Sequence, residues 1–358
     1  MKVTVKQDAI TDKISEMFDY NFNGTTEFVP HEISAIDRET ILKDFSIGLI
    51  VGPSGSGKTT LLKEFGAEVE PEWISDLSVA SHFKDFETVQ ERLGAVGFNS
   101  IPSWLRPYHA LSNGEQFRAR LARQLDSNIV VDEFTSVIDR DVAKSCSSAI
   151  HRHVHKVGLR NIVFSSCHYD IIEWLRPDWV FDTQIGQLTA RRYERPEIIL
   201  EISPCTTEVW SLFRNHHYLS GDISKSSRCW AVSWNDRLVG FLSALAMPSG
   251  TLKNAWRGHR TVVLPEFQGL GIGARMTEGL AEMHLSEGKR FYAKTANPRL
   301  GNYRNASLKW RASYKNEISR SDYTTYKSIG KNKLSQAHLE KHAHRLCFSH
   351  EYVGENKC

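Results

Sequence analysis

The stretch GPSGSGKTT (Gly52–Thr60) constrains the fold of this chain more than any other. It follows the apolar run IGLIVG (Ile47–Gly52) and precedes an amphipathic stretch, which predicts a buried strand, a glycine-rich turn and a helix. Glycines let backbone N–H groups converge on phosphate oxygens, and the helix N-terminus adds a partial positive charge. A plain glycine-rich turn would not need Lys58 and Thr59. The stretch therefore predicts nucleotide binding, with Lys58 on the β- and γ-phosphates and Thr59 on Mg²⁺.

Apolar runs without alternation recur through the first half of the chain. They are NIVVDE (Asn128–Glu133), NIVFSS (Asn161–Ser166) and WVFD (Trp179–Asp182). Such runs suit a parallel sheet that is covered on both faces, so the first half predicts an α/β fold. Asp132, at the end of the first run, predicts a carboxylate near the metal. Glu133 beside it predicts a residue that positions or activates the attacking water.

Three further elements follow one another in a distinctive order around these strands. Ser112 and Gly114 open a basic helix, and the SVIDRD loop (Ser136–Asp141) follows the Asp-Glu strand. His168 then ends the next strand. Together with the phosphate loop, this order resembles the ATP-binding-cassette (ABC) ATPases over roughly residues 40–185. The resemblance implies a homodimer in which ATP lies between two protomers, closes them on binding and lets them reopen on hydrolysis.

The resemblance also implies a role for each matching position. Ser112 and Gly114 would contact the γ-phosphate bound by a second copy. Asp139 would communicate across that dimer, and His168 would sense the γ-phosphate. Thr59 and Asp132 would hold Mg²⁺. The remaining ATP contacts would come from the phosphate loop, namely Gly52, Ser54, Gly55, Gly57, Lys58, Thr59 and Thr60.

Several positions depart from the pattern of that family. Asn113 stands where glycine is usual, and Glu115 stands where glutamine is usual. The loop that supplies a metal-coordinating glutamine is not recognisable. Candidates for the aromatic residue that stacks on adenine are Tyr20, Phe22 and Phe28.

The spacing of the motifs bears on transport. Only 53 residues separate Lys58 from Leu111, so the helical subdomain through which transporters couple to membrane partners is predicted to be short. No run approaches the roughly 18 apolar residues that a membrane helix needs. The N-terminus lacks the apolar core of a signal peptide. We therefore expect a cytoplasmic protein that has no membrane partner.

The second half of the chain has a different pattern. Two strands around a tight Asn-Asp turn are predicted in Cys229–Met247. A strand, a glycine-rich turn and a helix then follow in RTVVLPEFQGLGIGARM, and RFYAKTA predicts another strand. A dinucleotide-binding loop would need a βαβ unit, whereas antiparallel strands precede this loop, so that interpretation is rejected.

This second pattern is similar to the Gcn5-related N-acetyltransferases (GNAT) over about residues 197–312. The resemblance implies an α+β acyltransferase domain that binds acetyl-CoA or another acyl-CoA. The cofactor phosphates would be held by Gln268, Gly269, Gly271, Ile272 and Gly273. The backbone of Val262, Val263 and Leu264 would pair with the pantetheine and polarise the thioester carbonyl.

Such enzymes deprotonate an amine with a carboxylate or water and often reprotonate the thiolate with a tyrosine. Tyr303 is the candidate for that tyrosine, and a structural role is its alternative. Glu266 is a candidate for the base.

Length and charge support a division into two parts. The chain has 358 residues, too many for one typical core, and the predicted domains are 1–190 and 191–358. Residues 1–190 carry 19 Lys and Arg against 27 Asp and Glu, whereas residues 191–358 carry 26 against 15. The excess lies within 289–345, where basic and aromatic residues interleave. That pattern suits RNA or DNA, and a solvated C-terminal lobe is the alternative. Four histidines in the C-terminal region are expected at the surface.

These features predict a soluble ATPase coupled to acyl-CoA-dependent N-acyl transfer, with a nucleic acid as one acceptor. The alternative is an ATP-driven clamp or regulatory nucleic-acid-binding module, whose GNAT-like domain binds without catalysis. A subunit of a transporter is a third hypothesis. Acyl transfer from acetyl-CoA separates the first hypothesis from the second.

Overall fold

The computed structural model describes residues 2–27, 32–217, 222–248, 252–319 and 346–355. The chain separates into two compact units. One unit comprises Met1–Phe98 and Arg106–Pro196, and the other comprises Asn99–Leu105 and Glu197–Cys358. Among the helices of the described ranges, none has the length and apolar content needed to cross a membrane.

Up to residue 196 the chain forms fifteen helices and strands in its described ranges, with short 3₁₀ turns between some of them. They are β1 (Lys2–Thr4), α1 (Ala9–Met17), β2 (Thr25–Glu27), α2 (Ala35–Thr40), β3 (Ile47–Val51), α3 (Lys58–Leu62), α4 (Phe86–Ala95), α5 (Ile101–Trp104), α6 (Asn113–Gln124), β4 (Val130–Val131), α7 (Arg140–Val157), β5 (Ile162–Ser166), α8 (Ile172–Leu175), β6 (Trp179–Asp182) and β7 (Gln187–Thr189).

The first unit is built on a sheet of strand order β4-β5-β3-β6-β7. The first four strands are parallel, and only β7 pairs antiparallel, with β6. Every residue of β3 and β5 is buried, as expected for strands covered on both faces. Gly48 is required beneath the Trp179 ring, because a Cβ there would come within 2.1 Å of it. The predicted α/β fold is confirmed.

Two details of the first unit bear on the predicted elements. The strand expected at 128–133 shrinks to β4, because Glu133 and Thr135 adopt positive φ and turn the chain away. In the fully described stretch between α3 and Leu111, α4 is the only helix longer than one turn. The subdomain between the phosphate loop and the Ser112 helix is therefore short, as expected.

The second unit is an α+β structure, which confirms the expected fold class. Its elements are β8 (Glu201–Cys205), β9 (Arg228–Trp234), β10 (Arg237–Ala246), β11 (Ala255–Val263), α9 (Ile272–Ser286), β12 (Arg290–Thr295), α10 (Pro298–Ala306), β13 (Trp310–Ala312), β14 (Ile318–Ser319) and β15 (Leu346–Tyr352). The strand order is β13-β15-β12-β11-β10-β9-β8, and β14 pairs with β15.

Local sequence explains the hairpin that opens this sheet. Asn235 and Asp236 both have positive φ, 49° and 59°, which matches the twist of a two-residue turn between β9 and β10. The predicted Asn-Asp turn is confirmed. Phe241 and Val262 face a core completed by Trp210 and Phe213.

Candidate nucleotide and acyl-CoA sites

The loops that follow β3, β4 and β5 leave the first sheet at the same edge. β3 pairs in parallel with β5, and β5 pairs in parallel with β4, so the carboxyl ends of all three strands lie together. A cavity of about 330 Å³ opens there. It is lined by Ser54, Gly55, Gly57, Lys58, Thr59, Thr60, Asp132, Glu133, Ser136 and Cys167. The residues predicted for a nucleotide and its metal therefore converge on one cavity.

The phosphate loop depends on glycine at two positions. Gly52 has φ 151°, and a Cβ there would come within 2.1 Å of the Thr183 hydroxyl. Gly57, at the start of α3, has φ 91°, a left-handed conformation that side chains resist. Lys58 lies across the loop, where its Nζ donates to the carbonyls of Gly52 at 2.8 Å and Pro53 at 2.7 Å.

The Asp-Glu pair after β4 is held against β5. Asp132 Oδ1 accepts hydrogen bonds from the Ser165 hydroxyl and, at 2.9 Å, from the Glu133 amide. Glu133 has φ 48° and its side chain is exposed at the cavity. One carboxylate is thus anchored and the other is free to meet a water molecule.

The cavity offers the oxygen donors that Mg²⁺ prefers. The Thr59 hydroxyl and the Asp132 carboxylate both line it. Mg²⁺ usually takes one or two protein ligands and completes its octahedron with phosphate and water. The described residues contain no cluster of three or more His, Cys, Asp or Glu side chains that would hold a metal alone. The donor set therefore fits Mg²⁺ bound together with a nucleotide.

His168 follows β5 by two residues and is held by a small network. Its Nδ1 lies 3.1 Å from the Thr135 hydroxyl and 2.8 Å from Arg140 Nη1. Arg140 also pairs with Asp170. Partial burial and, to a lesser extent, Arg140 lower the pKa of His168 below its usual value. This shift favours the neutral imidazole, and His168 is not among the described residues that line the cavity.

Ser112 is the N-cap of α6, and Glu115 completes a capping box with it. The Ser112 amide and hydroxyl each donate to Glu115 Oε2 at 3.0 Å, and the Glu115 amide donates back to the hydroxyl at 3.4 Å. The acidic residue that departs from the family pattern thus stabilises the helix start. Gly114 lies against Ile138, whose Cγ2 would be 3.3 Å from an added Cβ.

Ser112, Gly114 and Asp139 are absent from the described lining of the nucleotide cavity. Asp139 instead caps α7, where its carboxylate accepts from the Asp141 amide at 2.8 Å. The fold of the single described chain therefore does not bring these three predicted residues to the cavity.

Three residues around the cavity were not predicted from the sequence. Ser136 lies in the predicted SVIDRD loop and Cys167 lies next to His168, and both line the cavity. Glu68 supports Asp132, whose amide donates to Glu68 Oε2 at 3.2 Å. Burial raises the pKa of Glu68. Proximity to the predicted motifs is the only sequence signal for the first two, and Glu68 has none.

The adenine-stacking candidates are not distinguished. Tyr20 is exposed and Phe22 is half-buried, whereas Phe28 lies outside the described residues. Residues 320–345 of the predicted nucleic-acid segment 289–345 also lie outside them.

In the second unit, left-handed glycines form a turn between β11 and α9. Gly269 has φ 100°, and Gly271, the N-cap of α9, has φ 81°. Gln268 braces the turn, since its Nε2 donates to the Val263 carbonyl at 3.0 Å. Ile272 is buried in the first turn of α9, and Gly273 lies beside Val263.

β11 and β12 run parallel but pair only at their beginnings. Ala255, Trp256 and Arg257 pair with Arg290, Phe291 and Tyr292, and pairing then stops although both strands continue. The second half of β11 therefore presents backbone groups to the side that faces away from β10. This half leads directly into the glycine turn.

The predicted backbone contacts need one correction. The Leu264 amide donates to the Val239 carbonyl at 3.0 Å, so it faces β10 and cannot polarise a thioester. Because successive strand amides point in opposite directions, Val263 directs its N–H to the unpaired side and Val262 directs its N–H to β10. Of the three predicted residues, only Val263 offers an amide there.

Tyr303, on α10, binds a buried carboxylate. Its hydroxyl donates to Glu278 Oε1 at 2.6 Å, and the Trp310 indole N–H approaches the same oxygen at 3.4 Å. Burial and this hydrogen bond raise the pKa of Tyr303 to about 12, so the hydroxyl keeps its proton at neutral pH. Glu266 has one buried oxygen without a hydrogen-bond partner among the described residues.

The expectation that the C-terminal histidines lie at the surface is wrong for His350. Its side chain is fully buried, and its Nε2 lies 2.7 Å from Asn305 Oδ1. His338, His342 and His344 lie outside the described residues.

One family model matches the second half of the chain and extends into the first unit. The family model for the Acetyltransferase (GNAT) family matches residues 171–305, beginning 26 residues before Glu197, where the main part of the second unit starts. No curated protein matches the chain by sequence similarity.

Solved structures of both kinds are similar to parts of the chain. A Bacillus subtilis acetyltransferase in complex with CoA is 14% identical, covers 44% of this chain and 98% of its own, and has a TM-score of 0.31. The ribosomal-protein-S18-alanine N-acetyltransferase from Escherichia coli is 10% identical, covers 45% and 99%, and has a TM-score of 0.30. A bacterial ABC transporter cassette, solved as a dimer, is 15% identical, covers 41% and 85%, and has a TM-score of 0.32. Identities and TM-scores this low say nothing about activity or substrate.

The first unit is an α/β fold in which the phosphate loop and the Asp-Glu pair line one cavity at the carboxyl edge of a parallel sheet. The matched family defines residues 171–305 as a GNAT domain. The chain therefore combines a phosphate-loop α/β unit with a region that matches the GNAT family.

Proposed function

We propose that this protein hydrolyses ATP and couples it to acyl transfer from acetyl-CoA or another acyl-CoA to an amine. The observation that carries the second half is the early end of β11–β12 pairing beside a turn of left-handed glycines. Unpaired strand groups can bind the amides of pantetheine, and converging N–H groups at the start of α9 can bind pyrophosphate.

For the ATPase, each residue of the first cavity has a proposed task. Lys58 neutralises the β- and γ-phosphates, and Thr59 and Asp132 hold Mg²⁺. The ion would neutralise charge that develops on the transferred phosphoryl group. Glu133, exposed beside the anchored Asp132, positions the attacking water.

Two protomers are proposed to share each ATP. The support for this is that Ser112 and Gly114 stand at the start of α6 but do not line the cavity in the described chain. The N-terminus of a helix attracts anions. A second copy would place this helix start against the γ-phosphate, and His168 would then sense the same phosphate.

For the acyl transfer, the amine attacks the thioester carbonyl, so that a C–N bond forms and the C–S bond breaks. The Val263 amide would stabilise the developing oxyanion. The amine proton leaves to a carboxylate such as Glu266 or to water. The departing thiolate would take a proton from Tyr303, whose hydroxyl is protonated at neutral pH.

The proposed acceptor is a nucleic acid. The support is the charge difference between the two parts of the sequence, since residues 289–345 carry 14 basic and 3 acidic side chains. Cations bind phosphates, and the aromatic residues among them can stack on bases.

The experiment is transfer of labelled acetyl from acetyl-CoA to RNA, DNA or protein, followed by mass spectrometry of nucleosides and peptides from cells that make active protein. Label on an amine of any of these, lost in a variant of the glycine turn, would support the proposal. If acetyl-CoA neither binds nor is consumed with any of the three, the acyltransferase half fails and a binding module remains.

A further inference from the structure

A second cavity, of about 630 Å³, lies in the first unit away from the nucleotide site. It is formed by the C-terminal half of α7, the turn after α8 and the segment that follows β7. Asp178, in its wall, immediately precedes β6, so the cavity lies at the amino end of that strand. The phosphate loop leaves β3 at the opposite, carboxyl edge of the same sheet.

Three guanidinium groups surround this cavity, from Arg176, Arg191 and Arg192. Among the ion pairs of the described residues none involves these three arginines, and the Arg191 guanidinium lies over the Tyr193 ring, 4.7 Å from its centroid. Arg176 Nε is buried and has no hydrogen-bond partner in the described chain. A buried cationic donor without a partner costs free energy, which a bound anion would recover.

The one carboxylate in the wall, that of Asp178, is held by backbone amides. Asp178 Oδ2 accepts hydrogen bonds from the amides of Ser46 at 2.7 Å and Ile47 at 3.0 Å. This interaction holds the start of β6 against the start of β3. The carboxylate is therefore committed to the backbone.

Two histidines add donors to the same wall. The His151 and His155 rings are 4.2 Å apart, and His151 Nδ1 donates to the Leu175 carbonyl at 2.9 Å. Burial, and after it the positive charge of Arg176, lower the pKa of His151 to about 4. His151 is therefore neutral at pH 7, and the positive charge of the wall comes from its three arginines.

The ligand class follows from the arrangement of the cations. Arg176 is half-buried in the cavity, whereas Arg191 and Arg192 are exposed, which continues the positive surface outward. One free phosphate would use the inner group alone, whereas a chain of phosphates can use all three. Tyr193 adds an aromatic side chain to this edge. This basic surface stands in a stretch, residues 1–196, that carries 22 Lys and Arg against 28 Asp and Glu.

We propose that this cavity binds the phosphodiester backbone of a single-stranded nucleic acid. The choice of ligand rests on the nucleic-acid acceptor of the proposed function. The inference goes beyond it by placing a contact for that acceptor on the ATPase domain, in residues that neither nucleotide hydrolysis nor acyl transfer uses.

The test measures the affinity of the full chain for a fluorescein-labelled 20-nucleotide single-stranded RNA by anisotropy, across a series of salt concentrations. In the double variant Arg191→Gln/Arg192→Gln we expect roughly tenfold or greater weakening, because each lost phosphate contact removes about 0.7 from the slope of log affinity against log salt. Arg176→Gln should weaken binding in the same direction. The control Lys13→Gln/Lys84→Gln removes the same charge from exposed positions outside the cavity and should stay within about twofold of the parent.

Competition identifies the source of the phosphate. Inorganic phosphate at matched ionic strength should not displace the RNA, and displacement at low millimolar concentration would overturn the nucleic-acid assignment in favour of a small phosphorylated ligand. Equal weakening in the cavity variant and the lysine control would also overturn the proposal. If the cavity variant binds RNA as the parent does while acetyl transfer to RNA persists, the cavity fails and the proposed function stands. If the parent neither binds nor acetylates RNA, both fail.

Discussion

The protein contains two glycine turns that place a helix N-terminus beside a strand end, and they differ in what surrounds them. Gly57 and Gly271 both precede a helix with positive φ, 91° and 81°. The first turn carries Lys58 and faces two carboxylates in a cavity. The second has no lysine and adjoins a strand whose second half lacks its parallel partner.

The backbone of such a turn can bind any anion of suitable size. The residues around the turn therefore decide which ligand binds and which reaction follows. A cation, a hydroxyl and an anchored carboxylate suit a triphosphate with its metal and an attacking water. An open strand edge suits a long cofactor that pairs along it, with only its phosphates at the turn. If this is correct, a substitution at one turn should affect its own ligand and leave the other ligand bound.

The largest effect is expected from Glu133→Gln. Removing the carboxylate that positions water should slow ATP hydrolysis by roughly 10² to 10⁴, and ATP binding should persist. Steady-state phosphate release and nucleotide binding measure the two separately, and size-exclusion chromatography with ATP should reveal a trapped dimer. Unchanged turnover would remove Glu133 from this role.

A comparable but ligand-specific loss is expected from Gly271→Glu. The side chain must adopt φ 81°, and its carboxylate would repel the cofactor phosphates. Acetyl-CoA binding should disappear while ATP hydrolysis stays close to that of the parent. Gly271→Ala is the matched control, because it keeps the strain without the charge and should cost about 1–2 kcal/mol. Retained acetyl-CoA binding in Gly271→Glu would show that the turn is not the cofactor site.

A smaller effect is expected at the Ser112 helix start. Glu115→Ala breaks the capping box and should lower the free energy of unfolding by about 1 kcal/mol in a denaturant titration. Glu115→Gln can still accept from the Ser112 amide and should lose less. An equal loss in both variants would mean that the negative charge, rather than the hydrogen bonds, stabilises this end of α6.

A separate effect is expected in acid. Burial is the main cause that lowers the pKa of both His151 and His259 to about 4, aided by Arg176 and Arg260 respectively. The unfolded chain, with histidine pKa near 6.5, then binds more protons than the folded one. Stability should therefore fall as pH drops from about 6.5 to 4, in both units.

Thermal unfolding across that range measures it, with His151→Gln and His259→Gln as the variants. Each should flatten the pH dependence of the melting temperature. A slope identical to that of the parent in both variants would contradict the assignment.

The sequence predicted those features whose structure depends only on neighbouring residues of the chain. Glycine and lysine spacing identified the first turn, and Asn235-Asp236 identified the hairpin, because each depends on backbone conformations that few residues adopt. Glu68 could not be found this way, since only the folded sheet brings it to Asp132.

The error at Leu264 has a similar origin. Which strand amides face the cofactor side depends on pairing with β10, as its bond to Val239 demonstrates. The β4 strand was predicted too long because apolar residues do not reveal the positive φ of Glu133. Register and backbone direction are set by neighbouring strands, which a single sequence pattern does not contain.

We propose that the Gly57 turn binds ATP, that the Gly271 turn binds acetyl-CoA, and that neither ligand needs the other turn. Calorimetric titration of ATP and of acetyl-CoA into the parent, Lys58→Ala and Gly271→Glu tests it most directly. In Lys58→Ala we expect the affinity for ATP to fall by roughly 100-fold or more, because each charged contact to phosphate is worth about 1.5–3 kcal/mol. The affinity for acetyl-CoA should stay unchanged. Gly271→Glu should show the reverse. Loss of both ligands in either variant with the fold intact, or competition between the two ligands in the parent, would contradict it.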